Sequence, residues 1–161
     1  MITLQPISEE NFIDVLELKA SEDLVAPNYE SLAEAYISLR EAVEEDELQF
    51  AEMPFAILHD ETIVGFAMVC LEDGEDLNVG SEIYWLSRLM IDDKYQGKGY
   101  GKAAMTALID FVKSKPHEHN VKYFYTSVVP SSHIATKLYE RMGFEKTDQV
   151  LGGEDVMQLV L

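Results

Sequence analysis

The chain has 161 residues, 30 of them acidic and 12 basic, for a formal charge of −18 at pH 7. That length suits a single domain over residues 1–161, and a hydrophobic share of 47% belongs to a globular chain rather than a disordered one. So acidic a field disfavours nucleic acid, whose binding relies on Lys and Arg neutralising phosphates; it favours cationic amines, and it serves solubility equally well.

The longest apolar runs are of strand length, so no membrane span is expected. Met1-Ile2-Thr3-Leu4-Gln5-Pro6 shows no basic segment followed by an apolar one, which argues against a secretory leader and for a cytoplasmic protein. The lone cysteine, Cys70, lies in an apolar run and reads as a buried, inert thiol with no disulfide partner.

In chain order, Ile2, Leu4 and Ile7 alternate with polar residues and mark a first strand. Ser8-Glu9-Glu10 then opens a helix, with Ser8 as cap and acids in the first turn; Phe12, Val15 and Leu16 form its apolar stripe. Past a loop at Pro27-Asn28, Leu32, Ala35, Tyr36, Leu39 and Val43 recur at helical spacing and predict a second helix over about 30–45. Its acidic end, Glu44 to Glu47, reads as a solvated face without a metal-ligand pattern. Residues 55–59 and 62–70 read as strands joined by a tight turn at Asp60-Glu61, and residues 83–91 as a long buried strand.

Gln96-Gly97-Lys98-Gly99-Tyr100-Gly101 follows that strand and runs into a helix from Lys102 that ends near Lys115-Pro116. A glycine-spaced loop at a helix N-terminus presents several main-chain N–H groups to one point, which suits a pyrophosphate or similar anion. It is not a Walker loop, because neither Gly-Lys pair is followed by Ser or Thr. The strict alternation of glycines also departs from the dinucleotide fingerprint. Further along, residues 123–129 predict a strand and residues 132–142 a helix ended by Gly143. Two last strands, near 144–151 and 155–161, are joined by a Gly152-Gly153 turn.

Gln-x-x-Gly-x-Gly after a strand ending Leu-Met-Ile-Asp resembles the acetyl-CoA loop of the GNAT N-acetyltransferases. Ala135-Thr136-Lys137-Leu138-Tyr139-Glu140-Arg141-Met142-Gly143-Phe144 is similar to a second segment of that family, Ala-x-x-Leu-Tyr-x-x-x-Gly-Phe. The order β-α-α-β-β-β-α-β-α-β-β is also the family's, so the resemblance covers nearly the whole chain. It implies an α/β (α+β) GNAT fold: a mixed, mostly antiparallel sheet, splayed at the cofactor strand and flanked by about four helices. Residues 25–28, 31–36, 65–68 and 85–92 look like the bacterial diamine/spermidine acetyltransferase branch.

The resemblance implies acetyl-CoA as co-substrate, no metal, and direct transfer of acetyl to a primary amine of a small molecule such as a polyamine or diamine. Acetylation of a protein or peptide amine, and a non-catalytic acyl-CoA-binding module, stay open as alternatives. The cofactor would be held by Gln96, Gly97, Lys98, Gly99, Tyr100, Gly101 and Lys102, and by the main chain of Leu89, Met90 and Ile91, which would pair with the pantetheine arm and polarise the thioester carbonyl. Tyr139 would be the general acid, a phenol of ordinary pKa near 10 giving its proton to the thiolate. Glu82 would be the base, working through water because a carboxylate near pKa 4 does not readily take a proton from an ammonium near 10.

Tyr84, Trp85 and Arg88 are candidates to shape the acceptor site. Where the family often has an asparagine seven residues before the tyrosine, this chain has Ser132, which can cap the helix and donate one hydrogen bond. The four histidines, His59, His117, His119 and His133, show no metal spacing and read as surface residues, with a cofactor-proximal place as the alternative for His133. A homodimer is the expectation by analogy.

Overall fold

The computed structural model describes residues 1–19, 52–114 and 121–161. The expected helix over about 30–45, the loop before it, His117 and His119 lie outside these. Seven strands form one sheet in the order β1-β2-β3-β4-β5-β7-β6. They are β1 (Ile2–Pro6), β2 (Glu52–His59), β3 (Thr62–Glu72), β4 (Ile83–Ile91), β5 (Tyr123–Val128), β6 (Glu145–Leu151) and β7 (Glu154–Val160). Every neighbouring pair is antiparallel except β4 and β5. That parallel pair is joined through a helix, the crossover that parallel strands need. Three α-helices fall among the described residues: α1 (Phe12–Leu16), α2 (Tyr100–Lys113) and α3 (His133–Arg141). About four were expected, one of them over the residues that are not described.

The long apolar stretch of β3 has both faces covered, which is why it does not alternate with polar residues. Ala67, Val69 and Leu71 join a core with Ala104, Met105, Leu108, Ile109 and Val112 of α2. Phe66 and Met68 face the other way, onto Ile7, Val15 and Leu18 around α1. Full burial of a Leu, Ile, Val or Met side chain is worth roughly 1.5–3 kcal/mol, so the α2 stripe fastens the glycine loop's helix firmly to the sheet. No helix among the described residues is long and apolar enough to cross a membrane.

One helix starts later than expected. Ser8 is not the cap of α1; Asn11 precedes its first residue, and Ser8 Oγ accepts from Glu10 N within a turn. Asn11 is 5% exposed, its side chain donating to Pro6 O and accepting from Ser8 N. Those two bonds hold residues 8–11 in a turn, the local competition with helix that Asn and Ser side chains offer.

The feature that opens the sheet is a bulge. Met68 pairs with Arg88 and Val69 with Leu86, so Ser87 is an extra residue on β4 opposite β3. Its hydroxyl donates to Met68 O at 3.2 Å. Bulges bend and twist the strand that carries them. On the other side of β4, pairing with β5 covers Tyr84, Trp85 and Leu86 against Phe124, Tyr125 and Thr126, and goes no further. The second half of β4 therefore turns away from β5, leaving a wedge whose floor is the sheet and whose wall is α3.

Candidate active site

Beyond β4 the chain makes a short 3-10 turn at Asp93–Tyr95 before the glycine loop. Asp92, 2% exposed, anchors it. Its carboxylate accepts from Lys94 N and Lys19 N, each at 3.0 Å, while its own N–H donates to Val64 O. Gln96 turns inward: its amide donates to Ile91 O at 3.0 Å and Asp93 Oδ1 at 3.2 Å. The Gln96 side chain thus braces the loop. Lys94 and Lys98 both lie over the Tyr95 ring, at 5.0 and 5.2 Å from its centre.

Gly97 and Gly99 have φ of 73° and 81°, a region that L-residues avoid. A side chain at either position would meet open space. No hydrogen bond from the main-chain N–H of residues 97–102 to the protein occurs among the described residues. Six successive donors, the last three in the first turn of α2, are thereby free to hold an anion with the helix dipole behind them.

Gln96, Gly97, Gly99, Tyr100 and Gly101 line a cavity of about 570 Å³ together with Leu89, Met90 and Ile91, and with the N-terminal turn of α3 from Ser131 to Ala135, while Lys98 and Lys102, expected at the cofactor, are not part of its lining. Leu138 and Tyr139 close its inner end. The edge of β4 that β5 has left is exposed along it. An extended arm can lie there as an added strand, and the free amides are donors for a polarised carbonyl. A diphosphate with an extended thioester arm fits the donor set this cavity offers. His133 lines it as well; His59 is stacked on Tyr100 at 4.7 Å. Ser132 stands before α3, but its hydroxyl makes no capping bond, contrary to expectation. It lines the cavity instead.

A second cavity, about 320 Å³, opens on the other side of the same wall. Leu89, Met90, Ser132, Ala135 and Tyr139 are common to both; Phe66, Ser87, Arg88, Ser127 and Glu154 belong to the second alone. Tyr139, 7% exposed, stands between them with its ring against Phe144 at 5.7 Å. Burial pushes its phenol above the ordinary value; a hydrogen bond with Thr126 works the other way, and the Glu154 charge adds to the rise. The expectation of an ordinary phenol is corrected upward, so Tyr139 holds its proton more firmly at neutral pH. Thr126 in turn donates to Leu86 O at 3.1 Å, at the last paired residue before the wedge opens.

Glu82 immediately precedes β4 and lines neither cavity. It lies six residues before Arg88, roughly 20 Å along an extended chain. Tyr84 is fully buried in the core, its hydroxyl without a partner and its pKa raised to about 12 by desolvation and the Glu82 charge. Trp85 packs with Leu77, Ile83, Tyr125 and Val156. Of the three acceptor-site candidates only Arg88 lines the second cavity.

Sequence reading missed Glu154, Ser127 and the bulge at Ser87. The bulge shows only in the register between strands, and Glu154 sits in an acidic run with no local signal that sets it apart. No group of three or more metal-ligating side chains occurs among the described residues.

The sequence model of the Acetyltransferase (GNAT) family matches residues 18–144. The spermine/spermidine N(1)-acetyltransferase of Bacillus subtilis (strain 168) is 29% identical over 159 residues, covering 97% of this chain and 96% of that protein. Among solved structures, an aminoglycoside acetyltransferase in complex with coenzyme A superposes with a TM-score of 0.75 at 19% identity, over 99% of this chain and 95% of that one. A GNAT acetyltransferase from Elizabethkingia anophelis with acetyl-CoA bound has a TM-score of 0.65 at 16% identity, over 99% and 98%. With a family match that spans most of its length, this chain belongs to the GNAT acetyltransferases.

Proposed function

We propose that the chain is one catalytic domain that moves an acetyl group from acetyl-CoA directly to a primary amine of a small cationic molecule, a polyamine or diamine. One observation carries the reading: two cavities, one bordered by a loop of unpartnered main-chain donors and one with a carboxylate, share a wall at a single buried phenol. The acidic balance of the chain and its likeness to a spermine/spermidine acetyltransferase both favour a cationic acceptor.

In this reading the amides of Gly97 to Lys102 bind the diphosphate, with Lys98 and Lys102 adding charge. The freed edge of Leu89, Met90 and Ile91 aligns the thioester and polarises its carbonyl, where negative charge builds as the amine attacks. Tyr139 gives its proton to the departing sulfur as the C–S bond breaks. Cys70 takes no part: it lines neither cavity, and burial raises its thiol to about 12, so an acyl-enzyme route has no nucleophile there. A single buried thiol also suits a reducing, cytoplasmic setting.

Incubation with acetyl-CoA and a panel of spermidine, spermine, putrescine, amino-terminal peptides and aminoglycosides, read by release of free thiol, tests the proposal. Polyamines should be acetylated fastest. Peptide acetylation without polyamine acetylation would move the acceptor to proteins, and tight acetyl-CoA binding with no release on any amine would make the chain a binding module. Size-exclusion chromatography tests the homodimer that analogy suggests.

A further inference from the structure

We propose that Glu154 is the proton acceptor for the attacking amine, and that its carboxylate is what selects a cationic alkylamine in the second cavity. This deepens the transferase reading above and rests on it. Glu154 is the first residue of β7, straight after the Gly152-Gly153 turn. Its neighbour Asp155 pairs with Val128 at the end of β5, so Glu154 stands where β5 has already parted from β4. It is the sole carboxylate among the described residues lining that cavity, and Leu89, Met90 and Tyr139 line it too.

Two contacts give Glu154 an orientation. Ser127 Oγ donates to Glu154 Oε2 and fixes that oxygen; Oε1 has no protein partner among the described residues and can accept an ammonium N–H. The Glu154 charge is also felt at the Tyr139 phenol, so the proton acceptor and the proton donor of the reaction lie within electrostatic reach of each other. Arg88, the cation of the same cavity, makes no ion pair among the described residues, and nothing described there neutralises Glu154 directly.

An exposed carboxylate is too weak a base for an alkylammonium. A half-enclosed pair behaves differently, because moving the proton from nitrogen to oxygen turns two charges into none and removes the cost of keeping them out of water. An N–H bond breaks and an O–H bond forms on Glu154; the free amine attacks, its N–C bond forms, and the C–S bond breaks as Tyr139 supplies the proton on sulfur. Two protons leave the nitrogen in all. One reaches solvent by way of Glu154, and the other restores the phenol of Tyr139, so both side chains end as they began.

Glu154→Gln keeps an oxygen for Ser127 and removes the basicity, so thermal melting should be unchanged. With spermidine, kcat/KM should fall about 100-fold, within the usual range for a lost acid–base group, while the KM for acetyl-CoA holds. Glu154→Asp should recover part of the loss. Comparing ethylamine with trifluoroethylamine, largely unprotonated at neutral pH, separates a base from a structural group: the variant's loss should be far smaller for the fluorinated amine. Spermidine turnover in Glu154→Gln within about threefold of wild type, or equal losses for both monoamines, overturns the assignment. Loss on Glu82→Gln with retention on Glu154→Gln would place the base at the start of β4 and overturn it as well. Failure of the transferase reading looks different: the unaltered chain would then acetylate no amine at all.

Discussion

Replacing Tyr139 by Phe isolates one atom of the proposed chemistry. The ring keeps its contact with Phe144, and Thr126 keeps Leu86 O as an acceptor, so no buried group is orphaned. The fold loses at most the phenol's polar contact with Thr126, worth no more than about 0.5–1.5 kcal/mol, and a melting shift of a few degrees or less is expected. Turnover should drop about 10- to 100-fold, a barrier increase of roughly 1.4–2.7 kcal/mol, because the thiolate must then leave without a donor. In the proposed site acetyl-CoA is held by main-chain donors of the glycine loop rather than by the phenol, so its Kd by titration calorimetry should stay put. Since burial and the Glu154 charge raise the phenol's pKa, alkaline loss of activity should set in at a higher pH in the wild type than an ordinary phenol would give. Thiol release from Tyr139→Phe at the wild-type rate, with melting unchanged, would refute the acid role and assign proton supply to water.

Gly99→Val places a branched side chain at φ of 81° and in the open cradle; about 1–2 kcal/mol of backbone strain and a blocked approach should weaken acetyl-CoA binding at least about tenfold. Calorimetry checks it, and unchanged affinity would contradict the amide cradle. Asp92→Ala leaves two main-chain N–H groups without their acceptor beneath the loop and should destabilise the chain by about 2–4 kcal/mol, read by urea unfolding. Cys70, 6% exposed with its thiol raised to about 12, should resist a thiol reagent at pH 8 in the folded chain and react at once in urea. The same shift predicts that stability falls as pH rises from about 9 towards 12, because the native thiol keeps a proton that the unfolded one releases, and Cys70→Ala should flatten that fall.

Much of the frame was readable from local pattern. The strand over residues 83–91 is where its apolar run put it, and the Gly152-Gly153 turn joins the last two strands as their spacing required. The loop from Gln96 to Gly101 and Tyr139 in its helix were identifiable because glycine conformation and helix position are properties of a few neighbouring residues. The start of α1 was misplaced by three residues because the deciding bonds come from a buried Asn11 side chain, and its burial depends on the rest of the fold.

Short-range chemistry thus determined, by itself, that a glycine-spaced loop lies between a buried strand and an amphipathic helix, and that a phenol sits one helix further on. Only the folded chain decided which other residues those parts meet. An unpaired Ser87 on β4 parts that strand from β5, and a hairpin residue 15 positions after Tyr139 comes to face it across the gap. The reason is physical: strand register and the meeting of distant side chains are set by pairing and packing summed over the whole sheet, which no short stretch of residues contains.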